Sequence, residues 1–135
     1  MFKFSPNSTQ KMTVFMKVPS GYLPGRLISA NLGHYSPSAS GEFKMQTTTA
    51  LIRRGQDTVD SMANTHVSDS GAIVNDNANE FRQLSFDLSD ATGQFSGFSA
   101  SPGDLLKIEL TRIPTANNDT DDIRFIPSTT EVRFG

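Results

Sequence analysis

Apolar residues recur along this chain with a period of two, the mark of strands that bury one face. Met12, Val14, Met16 and Val18 alternate with Lys11, Thr13, Phe15 and Lys17, and Pro19-Ser20-Gly21 ends the run. Pro24-Gly25 marks a second turn, after which Ile28, Ala30 and Leu32 share a face within Leu27 to Leu32. Ser36 to Gly41 has the composition of a loop. The longest predicted strand runs from Phe43 to Arg53, with Phe43, Met45, Thr47, Thr49 and Leu51 on one side. Its Thr-rich centre favours a strand, because branched side chains fit a pleated surface better than a helix.

Gly55-Gln56-Asp57 closes that strand, Thr58 to Val67 reads as a weaker one, and Ser68 to Gly71 reads as a turn. Glu80 to Asp90 places Leu84, Phe86 and Leu88 on one side; Asp104 to Ile113 places Leu106, Ile108 and Leu110 opposite Lys107, Glu109 and Thr111. Two short strands are predicted at Ile123 to Ile126 and Glu131 to Phe134. Helix competes only at Asn77 to Phe86, where Ala78, Phe81, Arg82 and Ser85 make a face too polar to dock. Short strands separated by Gly, Pro and Asp turns predict an all-β, antiparallel sandwich of jelly-roll type, with about eight strands and little or no helix. One domain is expected, residues 1–20 forming an N-terminal arm and first strand and residues 21–135 the sandwich.

Composition narrows the chemistry. With 135 residues, 36% hydrophobic and 19% charged, the chain suits one thin core whose strands are half exposed. It has no cysteine, which excludes disulfides, thiolate metal sites and thiol nucleophiles. A net charge of −2, with Arg53-Arg54 the only adjacent basic pair, counts against a nucleic-acid partner. No apolar run approaches the ~20 residues of a membrane span, so no membrane partner is expected. Met1 to Gln10 lacks the apolar stretch of a signal peptide, which predicts synthesis in a cytoplasm without export by a cleaved signal. Asn7-Ser8-Thr9 and Asn118-Asp119-Thr120 are read as chance matches to the glycosylation pattern.

No catalytic constellation stands out. There is no Gly-x-Ser-x-Gly elbow, and the two histidines, His34 and His66, sit near strand ends among polar residues, where exposed or interface positions are expected. Neither has a helical partner for zinc. The spacing of Asp57, Asp60, Asp87 and Asp104 singles out no acid/base pair. Asn117 to Asp122 concentrates oxygen ligands but lacks the glycine and terminal glutamate of an EF-hand, so it reads as a solvated hairpin loop. Gly93 and Gly97 flank Phe95 without the basic residue of a phosphate loop. No catalytic, cofactor or metal site is therefore expected. Ten Phe, two Tyr and no Trp point to cores and subunit contacts rather than to sugar stacking, which only Tyr22 and Tyr35 could serve. Phe2, Phe4, Phe15 and Phe98 fall outside the inferred core faces and, with the loop residues Tyr22 and Tyr35, are the expected interface residues. The arm, with Phe2 and Phe4 alternating with Lys3, either adds a strand to a neighbouring protein or pairs within its own sheet.

From Gly21 to the C-terminus the layout resembles the small jelly-roll structural proteins of tailed bacteriophages. An early turn-flanked strand (Tyr22-Leu23-Pro24-Gly25 with Leu27-Ile28-Ser29-Ala30) is followed by a Ser/Gly loop, the strand Gly41-Glu42-Phe43-Lys44-Met45 and the turn Gly55-Gln56-Asp57. Near the end, Gly103-Asp104 opens a strand closing on Arg112, Asp119 to Asp122 forms a polar loop, and two final strands follow. The resemblance implies a non-enzymatic virion protein, commonly trimeric, with no catalytic residues to carry over. The expected role is capsid decoration or cement, binding and stabilising the head, with the chain itself and the major capsid protein or other virion proteins as partners. The alternative is a tail fibre, spike or receptor-binding module that takes a glycan on the loops Ser36 to Gly41 and Asn75 to Asn79. A small hydrolase ranks below both for want of a nucleophile.

Overall fold

Ten strands and no helix occur among residues 1–7, 10–113, 119 and 121–135, which are those the structure, a computed structural model, describes. In chain order they are β1 (Phe2–Phe4), β2 (Lys11–Lys17), β3 (Ile28–Tyr35), β4 (Glu42–Ile52) and β5 (Thr65–Val74), then β6 (Arg82–Asp87), β7 (Gln94–Phe95), β8 (Phe98–Ser99), β9 (Leu105–Arg112) and β10 (Ile123–Phe134). Two four-stranded antiparallel sheets run in the orders β1-β10-β3-β6 and β2-β9-β4-β5, and β7 and β8 form a separate hairpin. Early strands meet late ones: β1 pairs with β10, β2 with β9, β3 with β6 and β4 with β5. This β-sandwich order is compatible with a jelly roll, in which one long folded-over ribbon wraps into two facing sheets.

The inner faces follow the alternation of the sequence. Phe43, Met45, Thr47, Thr49 and Leu51 of β4 are buried, as are Leu106, Ile108 and Leu110 of β9. The apolar ones among them meet Ile28, Ala30 and Leu32 of β3, Phe86 of β6 and Phe125 of β10 in one cluster. Burying each large apolar side chain contributes about 1.5–3 kcal/mol, so these central strands supply much of the drive to fold.

Three departures from expectation have local causes. β5 begins at Thr65 and continues through Ser68 to Gly71, so the expected strand over Thr58 to Val67 and the expected turn are both displaced. Its register against β4 shifts between Lys44 and Gln46, where Gly71 takes a φ of 71° and forms a bulge. There the Ser70 hydroxyl accepts the Met45 N–H at 3.0 Å in place of a ladder bond. The two expected C-terminal strands are halves of β10, joined across a register shift between Ile126 and Glu131 around Pro127. Thr129 bridges that gap, its Oγ1 donating to Ile126 O (2.6 Å) and accepting from Gly33 N–H (2.9 Å). The N-terminal arm pairs at home, with Phe2 opposite Phe125 and Phe4 opposite Ile123.

Candidate interaction site

At one end of the sandwich, a buried polar lock ties the connections following β3, β5 and β9. Arg112 continues the inner face of Leu106, Ile108 and Leu110, so its guanidinium enters the protein. It donates to the backbone oxygens of Phe4 (3.0 Å), Asp121 (2.8 Å) and Asp119 (2.6 Å) and lies 5.9 Å from the centre of the Phe43 ring. Burial lowers its pKa, opposed by Asp119, Asp122 and Asp121. The Asp119 carboxylate is also buried and accepts from the Ser36 hydroxyl (2.8 Å), the Asn75 amide (2.7 Å) and the Asp121 N–H (2.9 Å). Within the polar stretch considered for calcium, Asp119 is thus committed to protein donors; Asn117, Asn118 and Thr120 lie outside the described residues, as do Ser8 and Thr9 of the other glycosylation match.

His34 sits beside this lock, on the inner face of β3 after Ile28, Ala30 and Leu32. It is 2% exposed, which corrects the expectation of an exposed ring. The imidazole stacks on Phe125 (5.2 Å, 24°) and meets Phe43 edge-on at 5.7 Å. Its Nδ1 has no hydrogen-bond partner among the described residues. Burial, reinforced by the positive charge of Arg82, lowers its pKa from 6.5 to about 4. His66 is half-buried on β5.

Of the carboxylates considered for acid/base chemistry, Asp57 and Asp104 hold turns. Asp57 accepts the Arg53 N–H at 2.8 Å and its Nε at 2.9 Å, which keeps the carboxyl below the usual range. Asp104 accepts the N–H groups of Arg54 and Ser101, both at 2.9 Å. Asp60 is lowered chiefly by a hydrogen bond from Thr58, while Asp87 lies exposed at the end of β6. Among the described residues no three metal-ligating side chains converge.

The expected interface residues divide. Phe4 and Tyr22 belong to the core and present no face to a partner. Phe4 occupies an inner position of β1, edge-on to Phe125 at 5.6 Å; Tyr22 packs on Phe134 at 6.0 Å and donates its hydroxyl to Arg26 O at 2.8 Å. Both were misjudged because turn residues or a very short strand hide the period around them. Phe2 is half-buried at the core margin, and Tyr35 is half-buried beside the Arg124 guanidinium, 5.7 Å from its ring centre. Phe15 (49%) and Phe98 (44%) are exposed, Phe98 beneath the Arg53 guanidinium at 4.7 Å.

Phe15 lies on the outer face of sheet β2-β9-β4-β5, in the row Phe15–Lys107–Ala50–Thr65. Exposed Val67 stands on the same face opposite Thr48. Lys107 Nζ donates to Val59 O at 3.3 Å, drawing the 53–64 connection with exposed Val59 and Met62 toward this face. Val59, Met62 and Val67 escaped the sequence reading because the strand there was displaced; Val67 becomes an outer residue once β5 is placed correctly. Exposed Phe81, also missed, lies over Gly33 on the other sheet. No family model, no curated protein and no solved structure matches this chain.

Proposed function

We propose that this chain is a non-enzymatic structural protein of a virion, a capsid decoration or cement protein that binds and stabilises a phage head as a homotrimer. The observation that carries the reading is the outer face of sheet β2-β9-β4-β5, where Phe15 and Val67, with Val59 and Met62 from the 53–64 connection, remain exposed around a charged centre. Apolar side chains gathered on one face suit a lattice or subunit contact. The charged centre, where Glu109 pairs with Lys11 (3.3 Å) and Lys107 (3.8 Å), would set register more than affinity. The strand order, compatible with a jelly roll, agrees with the resemblance to tailed-phage structural domains.

The glycan-binding alternative draws less support. Ser36 and Asn75, on the loops where such a site was expected, turn their side chains inward to Asp119. Sedimentation of the purified chain, combined with counting copies per particle, tests the proposal. A trimer and many copies on the head are expected; a monomer confined to a few copies at the tail would overturn it.

A further inference from the structure

At the end of the sandwich away from the Arg112–Asp119 lock, a cleft of about 380 Å³ is lined by Lys17, Val18, Pro19, Ser20, Arg54, Pro102 and Gly103. Two cations face it, and neither the Lys17 nor the Arg54 side chain has an ion-pair or hydrogen-bond partner among the described residues. Its rim is firmly built. Asp104 receives the Arg54 and Ser101 N–H groups, Val18 N–H donates to Asp104 O (2.8 Å), and Gly103 N–H donates to Val18 O (2.9 Å). Because Gly103 has no side chain, Arg54 can lie across it: a Cβ there would stand 3.3 Å from Nη1. Asp104 thus holds the chain beneath the guanidinium without neutralising the arginine's side chain.

We propose that this cleft receives a carboxylate side chain from an extended acidic segment of a protein partner. The charge requires an anion, and the rest of the lining selects which one. A phosphate site ordinarily offers converging backbone N–H groups; here Pro19 and Pro102 have none, those of Val18, Arg54 and Gly103 are already used, and Ser20 supplies a single one. A sugar acid would call for an aromatic platform or several acceptors for its hydroxyls, and the lining has no aromatic residue and only the Ser20 hydroxyl as a side-chain acceptor. What remains is two unpaired cationic donors over proline walls, suited to a carboxylate on a short aliphatic stem with peptide on either side. The inference stands apart from the virion reading, since it requires an acidic protein segment and no particular particle.

The test is a nitrogen-15 amide titration of the full chain with blocked tri-glutamate, alongside blocked tri-glutamine, glucuronate and inorganic phosphate. Saturable shifts are expected at the amides of Val18, Arg54 and Gly103 with tri-glutamate in the millimolar range, weakened by salt. Arg54→Gln and Lys17→Gln should each weaken that binding at least about threefold, while the dispersed amide spectrum reports that the variant is folded. No shifts at these amides up to tens of millimolar would overturn the proposal. Equal shifts with tri-glutamine, tighter binding of glucuronate or phosphate, or unchanged affinity in both variants would overturn it as well.

Discussion

Acidification should destabilise this domain through His34 before the carboxyls of Asp57, Asp60 and Asp90 titrate. In the folded chain the imidazole stays neutral down to about pH 4, against an ordinary value of 6.5. Between those values the unfolded chain takes up a proton that the folded chain refuses, so stability falls as pH falls through that window. The loss is about 2 kcal/mol at pH 5 and approaches about 3 kcal/mol below pH 4. Domains of this kind have roughly 5–15 kcal/mol in total, so the effect is large enough to measure by urea denaturation at pH 7 and pH 5. The carboxyls of Asp57, Asp60 and Asp90 are held below the ordinary 3.8, so their stabilisation is lost only at more acid pH. The His34→Leu variant keeps an apolar filling between Phe43 and Phe125 and has nothing to protonate. It should lose less than about 0.5 kcal/mol over the same interval. If wild type and variant lose stability equally between pH 7 and pH 5, or if the His34 ring titrates near 6.5 by NMR, the reasoning fails.

Removing the Asp119 carboxylate (Asp119→Ala) leaves the Ser36 hydroxyl and Asn75 amide without their acceptor beside a buried guanidinium, and should lower the urea-derived stability by about 3 kcal/mol. Thr49→Val replaces a buried hydroxyl that has no partner among the described residues, and should raise the thermal midpoint, with a gain of about 1 kcal/mol. Gly93 has a φ of 75°, and a Cβ there would strike the Tyr22 hydroxyl and Arg26 carbonyl, whereas Gly55, at the same φ, faces open space. Gly93→Ala should therefore cost more than Gly55→Ala, about 3 against about 1 kcal/mol in chemical denaturation. Phe15→Ser should change the stability of the folded chain by less than about 0.5 kcal/mol while weakening self-association in sedimentation; an unchanged association constant would remove Phe15 from the interface.

Legibility followed the alternation where a strand had neighbours on both sides. The inner residues of β3, β4 and β9 could be read directly, Thr47 and Thr49 included, because central strands must bury every second side chain. The same rule, carried one step further, also finds His34 after Leu32 and Arg112 after Leu110. Their polarity made the pattern look finished two residues early. β5 was obscured because it is an edge strand with Ser68 and Ser70 on its inner side and a bulge at Gly71, so its composition imitates a turn. β10 looked like two strands because Pro127 interrupts it; both halves pair with β3, and Thr129, bonded across to Gly33, bridges them. The Lys17–Arg54 cleft was beyond reach, since residues from three separate connections meet there and no local pattern joins them.

The unequal lengths of β1 and β10 bear on how the protein is handled. Among the described residues, β1 covers only Ile123, Arg124 and Phe125 on its side of a strand that continues to Phe134. Because the two run antiparallel, residues added ahead of Met1 would travel beside the uncovered stretch of β10, past the break at Pro127 and toward Phe134. A leader rich in valine, isoleucine or threonine would be templated as further strand, whereas one rich in glycine and proline would not. An affinity tag at the N-terminus is therefore a structural choice for this protein, and its sequence decides whether that margin of the sheet is left open or sealed.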